Sequence, residues 1–438
     1  MLFTYQNSKC FDVLGKSSDE ERSLCRENRA KRNSYRQSAP TELRGVWVTT
    51  VRNNDFPSPA VFENGFNVDL FKLEFQSILD TCKQFNLNAL FFQVRPEGDA
   101  FYPSTINPWS QYLTGKQGVA PRVADFDPVA YMIEATHDVG IEFHAWLNPY
   151  RLSPSNNKSA TQEEAFARLT PDHYANHHTN WVYFYNGELY LNPGVPAVNE
   201  FIVETVAEIL KNYNIDAIIL DDFFYPYPYI KAGETVTFAN VAPDESTYQK
   251  YRVSEEQTID EWREANINAL VYQLHQEIQR FNRTNKTQVE FGISPFGIWS
   301  SSEQTPGGSP TSSQQLSSLE EWVNTKFWIE AGWLDYVVPQ VYWEFDNKIS
   351  PFDVVAKWWN DIVAGTKVKL YLGLGLYLYE EDQMWPKAEE ILHQLQYART
   401  LTNVSGFVFF TYHNLVASRA TTKALQEVLP KLQQELRK

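Results

Sequence analysis

From Leu43 onward, the chain alternates between short apolar runs and longer segments in which apolar residues recur with helical spacing. A short apolar run bounded by turn residues predicts a buried strand, and helical spacing predicts an amphipathic helix. The eight runs are LRGVWVTT (43–50), ALFFQVRP (89–96), EFHAWLNP (142–149), AIILDDFF (217–224), EFGISPFG (290–297), YVVPQVYW (336–343), KLYLGLGLY (369–377) and GFVFFTY (406–412). Eight strands that alternate with helices predict the α/β class and a (β/α)8 TIM barrel.

The segments between the runs carry helix signals. In DPVAYMIEATHDVG, Asp127 is a suitable N-cap, Pro128 fits the first helical position and Gly140 fits the stop. In PAVNEFIVETVAEILKNYN, one face collects the apolar residues Val198, Ile202, Val206, Ile209 and Tyr213. Further helices are predicted near 69–86, 260–282, 351–365, 387–400 and 417–436.

Three connections are long, namely 150–195, 225–259 and the Ser- and Gly-rich 298–320. Each follows a strand, so all three are predicted at the C-terminal rim of the barrel, where this fold builds its site. Residues 1–40 are polar, with Arg and Lys clustered between Arg22 and Arg36, and they predict a disordered N-terminal tail. The predicted organisation is this tail followed by a single (β/α)8 domain over 41–438.

Composition narrows the class of ligand. The chain has 38 basic and 54 acidic residues and a formal charge of −16, which argues against nucleic acid or an anionic membrane as a partner. Aromatic residues make up 15% of the chain, with 13 Trp and 24 Tyr. A neutral, ring-shaped ligand such as a sugar is one reason for that excess.

The cysteines and the hydrophobicity profile exclude other classes. Cys10, Cys25 and Cys82 show no C-x-x-C spacing, which argues against a disulfide framework and a structural zinc site. We predict no metal and no other cofactor. No segment approaches the ~18 apolar residues of a membrane span, and the N-terminal residues lack the apolar core of a signal peptide. On this evidence we expect a soluble chain that is not exported by the signal-peptide route.

Polar and aromatic residues collect at the carboxyl ends of the predicted strands, where TIM barrels carry out their chemistry. They are Trp47; Gln93, Arg95, Glu97 and Asp99; His144, Trp146 and Asn148; Ser294; and Gln340, Tyr342, Trp343 and Glu344. Because side chains alternate along a strand, the polar trio on strand 3 shares one face, and so does the trio Gln340, Tyr342 and Glu344 on strand 6. We predict that these faces line the barrel mouth.

Two adjacent carboxylates, Asp221 and Asp222, follow the apolar run of strand 4 in the stretch LDDFFYPYP. Buried carboxylates are costly unless they are paired or used. Alternation predicts that only one of the two faces the barrel axis, and Asp221 is the first choice because it shares a face with the smaller residues Ala217 and Ile219.

Several mouth carboxylates with amides, an Arg and indoles are typical of a glycosidase. Glycoside hydrolysis needs one carboxylate at the anomeric carbon and a second, protonated one for the leaving oxygen. We assign Asp221 as nucleophile or base and Glu344 as acid, with Glu97 as the competing acid. The remaining polar and aromatic mouth residues are predicted to bind sugar hydroxyls and ring faces.

Structural alternatives stand beside these assignments. The aspartates could cap a helix, Glu344 could form an ion pair at the rim, and His144 could be a core histidine with satisfied hydrogen bonds. Arg95 and Asp99 could form a pair that braces the turn between them.

The motifs ELRGVWVTT, FFQVRPEGDAFYPS, HAWLNPYR, LDDFFYPYP, GISPFGIW and PQVYWE resemble those of the glycosyl hydrolase-like 10 family. The resemblance runs from about Glu42 to about His413. It implies a TIM-barrel O-glycosyl hydrolase that acts on a bacterial cell-envelope polysaccharide, with the glycan strands of peptidoglycan as one candidate. It also implies a location in the cell envelope or periplasm, from which this chain departs by showing no signal peptide.

Two other functions remain open from the sequence. A barrel that binds glycan without cleaving it would use the same aromatic and amide lining, although it has no need for surplus carboxylates. A metal-dependent polysaccharide deacetylase is disfavoured, because no Asp/His/His set occurs at the strand ends.

Overall fold

The computed structural model describes residues 42–153, 160–314, 316–380, 385 and 387–438, and within them eight parallel strands close into a barrel. The strands are β1 (Leu43–Val48), β2 (Ala89–Arg95), β3 (Glu142–Leu147), β4 (Ala217–Leu220), β5 (Glu290–Ile293), β6 (Tyr336–Val337), β7 (Lys369–Gly375) and β8 (Val404–Phe410). The barrel closes because β1 pairs with both neighbours, so that Gly45 lies opposite Ala89 on β2 and Val408 on β8. The predicted fold class and the eight predicted strands are confirmed.

One principal helix follows each strand. The helices are α1 (Val68–Gln84), α2 (Pro128–Asp138), α3 (Pro196–Asn212), α4 (Ile259–Asn285), α5 (Thr325–Glu330), α6 (Phe352–Ile362), α7 (Glu390–Ala398) and α8 (Lys423–Glu435). The sequence pattern did not predict α5, because six residues are too few to display a helical period.

The start and stop signals of α2 act as predicted. The Asp127 side chain accepts hydrogen bonds from the backbone N–H groups of Val129 and Ala130, both at 3.0 Å. Pro128 occupies the first helical position, where its missing N–H costs nothing. Gly140 has a φ of 74°, a left-handed conformation that suits glycine, and it lies just beyond the end of the helix.

Alternation along the strands divides the core into two layers. The side chains inside the barrel include Ala217 and Ile219 of β4, together with Trp47 and Trp146. The residues between them, including Ile218 and Leu220, belong to the larger layer between the strands and the helices. The predicted alternation along β4, with Ala217 and Ile219 facing the barrel axis, is therefore confirmed up to Leu220.

The long loops carry their own secondary structure at the C-terminal rim. The third contains the antiparallel strands Val182–Tyr185 and Glu188–Leu191, and the fourth contains Tyr229–Lys231 and Glu234–Val236. The two hairpins touch, because the Tyr185 hydroxyl donates to the Val236 carbonyl at 3.1 Å. The Tyr185 and Tyr229 rings meet edge to face with centroids 5.2 Å apart. These contacts position the fourth loop beside the end of β4.

Leu43–Lys438 form one compact unit. The tail predicted over 1–40 lies outside the described residues, as do Cys10 and Cys25, and the domain division remains a prediction. Cys82 is a buried free thiol on α1. Within the described part of the chain, no helix has the length and apolar character needed to cross a bilayer.

Candidate active site

A cleft with a volume of about 880 Å³ opens at the carboxyl ends of the strands. Eight of the residues predicted for the barrel mouth line this cleft, namely Trp47, Gln93, Trp146, Asp221, Asp222, Ser294, Gln340 and Tyr342. They come from β1, β2, β3 and the segments that follow β4, β5 and β6, so the site is assembled from six parts of the barrel. This is the end of the barrel at which the fold places chemistry.

Both aspartates line the cleft, whereas alternation predicted that only one would face it. The reason is that regular strand geometry ends at Leu220. Beyond this point the backbone turns, and the Phe224 N–H donates to the Asp222 carbonyl at 3.0 Å. The period-two rule does not apply to residue 222, and the two carboxylates are neighbours in one cavity.

The Asp221 carboxylate is almost completely buried, with 5% of the residue exposed, and three N–H groups donate to it. Its Oδ2 accepts from Trp146 Nε1 at 3.2 Å and from Asn148 Nδ2. Its Oδ1 accepts from the Phe223 backbone N–H at 3.1 Å. These bonds fix the orientation of the carboxylate, so Asp221 is a rigid part of the cleft floor.

Asp222 is half-buried and is held by side chains from other segments. Its carboxylate accepts from the Tyr227 hydroxyl and from the Gln340 side chain. Both donors favour the ionised form of Asp222. Tyr227 belongs to the fourth loop and Gln340 follows β6, so this carboxylate links two sides of the cleft.

The pair is arranged to hold a proton near neutral pH. Burial, followed by the nearby charge of Asp222, raises the pKa of Asp221 to about 7 from its ordinary 3.8, although the Arg151 charge and the N–H donors oppose the shift. Burial also raises the pKa of Asp222, while its bonds from Tyr227 and Gln340 act in the opposite direction. Two interacting carboxylates titrate as a pair, so this pair keeps one proton to a higher pH than an isolated aspartate would.

Arg151 is the basic side chain of this centre. Its guanidinium donates to Asn148 Oδ1 at 3.1 Å and to the Pro96 carbonyl at 3.1 Å, and it lies 4.9 Å from the centroid of the Phe223 ring. Its charge lowers the pKa of Asp221 and of Asp222. Arg151 lies in the HAWLNPYR motif, three residues after Asn148, but its position beyond the strand gave no signal in the sequence that it would reach the aspartates.

Aromatic rings form two walls of the cleft, each a group of rings in mutual contact. One wall contains Tyr342, Tyr377 and Phe410, whose ring centroids are 5.7–6.0 Å apart. The other contains Phe223, Tyr227 and Phe296. Of these six rings, only Tyr342 was selected from the sequence. The others lie on loops or next to strand ends, where an aromatic residue gives no signal that separates packing from ligand contact.

Trp47 offers an unused hydrogen-bond donor in the cleft. Its ring packs edge to face on Trp146 with centroids 4.9 Å apart, and the residue is 2% exposed. Its Nε1 is buried and has no hydrogen-bond partner. Buried N–H groups are rarely left unpaired, so this donor is suited to an acceptor atom of a bound molecule.

The comparison with known proteins decides the family. The sequence profile of the family described as glycosyl hydrolase-like 10 matches residues 42–385. The chain belongs to the glycosyl hydrolase-like 10 family. The predicted resemblance is confirmed.

Alignments with curated relatives cover most of the chain. It is 38% identical over 376 residues to the glycosyl hydrolase YngK of Bacillus subtilis, an alignment that covers 85% of this chain and 69% of the relative. It is 32% identical over 386 residues to the glycosyl hydrolase DigH of Escherichia coli K12, covering 85% of this chain and 84% of the relative. Among solved structures, the α-L-fucosidase isoenzyme 2 of Paenibacillus thiaminolyticus aligns with a TM-score of 0.50 at 12% identity, over 90% of this chain and 49% of that one, which supports the fold alone.

Glu344, the predicted acid, is not among the residues that line the cleft of this family member. The cause lies in the backbone after β6. Gln340 still pairs with Phe296 and with Gly373 of β7. The Val341 N–H, however, also donates to the Pro339 carbonyl and the Tyr342 N–H donates to the Gln340 carbonyl, both at 3.1 Å, so strand pairing is lost beyond this point. Alternation therefore does not carry over to residue 344. The backbone carbonyl of Glu344 accepts from the Asn347 and Phe352 N–H groups.

Trp343 also lies outside the lining, with its ring 5.6 Å from that of Phe296. His144 lies inside the barrel, 1% exposed, where its two ring nitrogens contact the Tyr336 hydroxyl at 2.9 Å and Glu142 at 3.2 Å. The structure thus places His144 as a core histidine with both nitrogens bonded and does not bring it to the cleft.

Arg95 lies behind the cleft. It is 1% exposed and donates to the carbonyls of Asn148 at 2.6 Å and Pro149 at 3.1 Å, to Asn107 Oδ1 at 3.2 Å and to the Tyr174 hydroxyl at 3.3 Å. These bonds hold the backbone that follows β3. Arg95, which was predicted at the barrel mouth, therefore supports Asn148 from behind and is not part of the lining.

Glu97 and Asp99 are also fully buried behind the cleft. Glu97 accepts from the Tyr112 hydroxyl at 3.0 Å, and Asp99 accepts from the Glu97 backbone N–H at 3.2 Å. Burial raises the pKa of Glu97 to about 8 and that of Asp99 to about 6. Gly98 between them has a φ of 63°, and a Cβ atom there would collide with Tyr174 and Leu152. The glycine is needed for this turn.

A third carboxylate, Glu320, lines the cleft and was not predicted. It is anchored in the fifth loop, where it accepts from the Ser317 N–H at 2.9 Å, the Ser317 hydroxyl at 2.8 Å and Gln304 Nε2 at 3.0 Å.

The described residues contain no group of three or more His, Cys, Asp and Glu side chains that could hold a metal ion.

Proposed function

We propose that this protein is an O-glycosidase that cleaves a bacterial cell-envelope polysaccharide, with the glycan strands of peptidoglycan as the first candidate substrate. The observation that carries the proposal is the pair Asp221 and Asp222 in one cleft, which six aromatic rings also line. Glycoside hydrolysis needs one carboxyl group that keeps its proton and another that does not. Family membership supports glycan hydrolysis. The envelope substrate is what the resemblance to this family implies.

In this proposal Asp221 protonates the leaving oxygen and Asp222 acts at the anomeric carbon. The assignment differs from the initial one, which gave the acid role to Glu344, outside the lining. It is supported by the pKa of about 7 that burial and the Asp222 charge give to Asp221, because a general acid works best when its pKa is close to the operating pH. Burial raises the pKa of Asp222, and the hydrogen bonds from Tyr227 and Gln340 oppose that rise by favouring the ionised form.

The lining fits a sugar chain. Pyranose rings have apolar faces that stack on aromatic side chains, and the two walls supply six aromatic rings in the cleft that contains the aspartates. Hydroxyl groups need specific partners, which Gln340, Ser294 and the unpaired Trp47 N–H can supply. A mostly neutral lining with aromatic surfaces is typical of sites for uncharged sugar rings.

The proposal is tested by incubating the protein with purified peptidoglycan strands and with other envelope polysaccharides, with and without EDTA. New reducing ends and acetate should be quantified in parallel. We expect reducing ends to appear at the same rate in EDTA, without acetate release. Acetate release that EDTA abolishes would instead support a deacetylase, and binding without either product would support a glycan-binding barrel.

A further inference from the structure

We propose that Gln93 is a positioning residue that acts through Asn148, by forcing the Asn148 amide to present its N–H group to Asp221. Gln93 lies on β2 and is fully buried. It does not need to contact the substrate to affect the reaction. The inference rests on the proposed function for its consequence in catalysis, but the geometry on which it depends concerns only the three side chains.

The orientation of the Gln93 amide is determined by the backbone. Its Oε1 accepts from the N–H groups of Thr50 at 2.8 Å and Val51 at 2.9 Å. Both partners are backbone N–H groups that can only donate, so the atom facing them must be an acceptor. Rotating the amide by 180° would place an NH2 group against two N–H groups. The NH2 group of Gln93 must therefore point the other way.

The direction of the Gln93 NH2 group in turn determines the orientation of Asn148. Gln93 Nε2 donates to Asn148 Oδ1 at 2.6 Å, and Arg151 donates to the same oxygen at 3.1 Å. With its oxygen occupied by two donors, Asn148 must turn its Nδ2 toward Asp221 Oδ2, to which it donates. Asn148 is fully buried, so no solvent competes for either end of the amide.

This chain of amides has a consequence for Asp221. A fixed N–H donor stabilises the ionised carboxylate, and the Asn148 bond does lower the pKa of Asp221 against the effect of burial. If Asn148 could rotate, its carbonyl would face the carboxylate, and the ionised form would be disfavoured. A group that transfers a proton must be able both to hold it and to release it. By keeping the Asn148 N–H directed at Asp221, Gln93 helps to stabilise the ionised carboxylate that remains after the proton is released. Asp222 and Arg151 are the charged groups that act on Asp221 from the neighbouring segments.

The test compares Gln93→Met, Asn148→Ala and the double variant. The first readout is the titration of the Asp221 carboxyl, monitored by 13C NMR of protein labelled at its aspartate carboxyl carbons. The Asp221 signal is assigned as the one that is lost in Asp221→Asn. The second readout is kcat on the glycan that the wild type cleaves. Gln93→Met keeps the length of the side chain but removes both hydrogen-bonding groups. Gln394→Met is the matched control, because Gln394 is equally buried but donates to Trp343 and Glu390, away from the cleft.

Each single variant should raise the apparent pKa of Asp221 and lower kcat, by roughly 10²-fold for Asn148→Ala and about 10-fold for Gln93→Met. Because Gln93 acts through Asn148, adding Gln93→Met to Asn148→Ala should change neither quantity further, with kcat within about 2-fold. Gln394→Met should leave the Asp221 titration unchanged. Additive effects in the double variant, or an unshifted titration in Gln93→Met, would overturn the inference.

A second variant guards against poor folding of Gln93→Met. Gln93→Glu keeps an acceptor for Thr50 and Val51, and when protonated its O–H can donate to Asn148 Oδ1 as the amide does. When ionised it cannot. Raising the pH should therefore cost Gln93→Glu activity through a titration that is absent from the wild type, and a pH profile like that of the wild type would contradict the proposal. If the wild type cleaves no glycan, the proposed function fails, and the NMR titration still decides the role of Gln93.

Discussion

Replacement of Asp221 by Asn tests whether burial raises the pKa of this carboxyl. The ordinary pKa is 3.8 and the folded-state pKa is about 7, so the shift is upward. Between these two pH values, the folded protein holds a proton that the unfolded chain has released. The free energy of unfolding of the wild type therefore falls as the pH rises from about 4 to about 7 and stays at the lower value above that range. Asn cannot ionise, so Asp221→Asn should not show this loss.

The size of the effect follows from the structure. The difference between pKa values of 3.8 and about 7 corresponds to about 4 kcal/mol, at about 1.4 kcal/mol per pH unit. The Asn carbonyl can replace Oδ2 and accept from Trp146 and Asn148. The Asn NH2 group then faces the Phe223 N–H, and the loss of that hydrogen bond costs about 1 kcal/mol. Asp221→Asn should thus be more stable than the wild type by about 3 kcal/mol at pH 8 and within about 1 kcal/mol of it at pH 5.

The assay is urea denaturation of both proteins at pH 5 and pH 8. Asp80→Asn is the matched control, because Asp80 lies on the surface of α1 with 64% of its side chain exposed. The control should change stability little, and by the same amount at both pH values. A stability difference between Asp221→Asn and the wild type that does not grow with pH would refute the raised pKa, and with it the assignment of Asp221 as the proton donor.

Three further results are expected. In the wild type, kcat should fall as the pH rises above about 7, because Asp221 loses its proton. In Asp222→Asn this fall should begin at a lower pH, because the Asp222 charge helps to raise the Asp221 pKa. A fall at the same pH in both proteins would show that Asp222 does not affect the pKa of Asp221. Trp47→Phe should raise KM roughly 10-fold with little change in kcat, since it removes an unpaired N–H donor and keeps the ring, and an unchanged KM would show that this N–H binds no substrate atom. Glu344→Gln should leave kcat/KM within about 2-fold, and a loss comparable to that of an aspartate variant would restore Glu344 as the acid.

The fold could be predicted from the sequence because its signals are local and repeated. Each strand run is bounded by turn residues, and caps such as Asp127 mark the start of a helix. The exception, α5, is too short to show periodicity. Alternation also identified the inner face of β4, because regular pleating persists to Leu220.

The site could be predicted where alternation continues through a strand and the few residues after it, as it does for Gln340 and Tyr342 beyond β6. Asn148 follows directly after β3, and its predicted inward direction leads to Asp221. Glu344 lies seven residues beyond the end of β6, after strand pairing is lost, and no periodic rule reaches it. Arg151 and Tyr227 lie on loops, and their contacts with the aspartates depend on a tertiary arrangement that local sequence does not encode.

The leaving-group dependence of the aspartate variants tests the division of roles between Asp221 and Asp222 most directly. Rates should be measured on the glycan that the wild type cleaves and on the dinitrophenyl glycoside of its product, whose leaving group needs no protonation. In kcat/KM, which reports cleavage of the glycosidic bond, Asp221→Asn should lose roughly 10³-fold on the glycan and less than about 10-fold on the dinitrophenyl glycoside, because only the first leaving group needs a general acid. Asp222→Asn should lose roughly 10³-fold on both substrates. Equal losses by Asp221→Asn on the two substrates, or wild-type rates in both variants, would contradict the proposed roles.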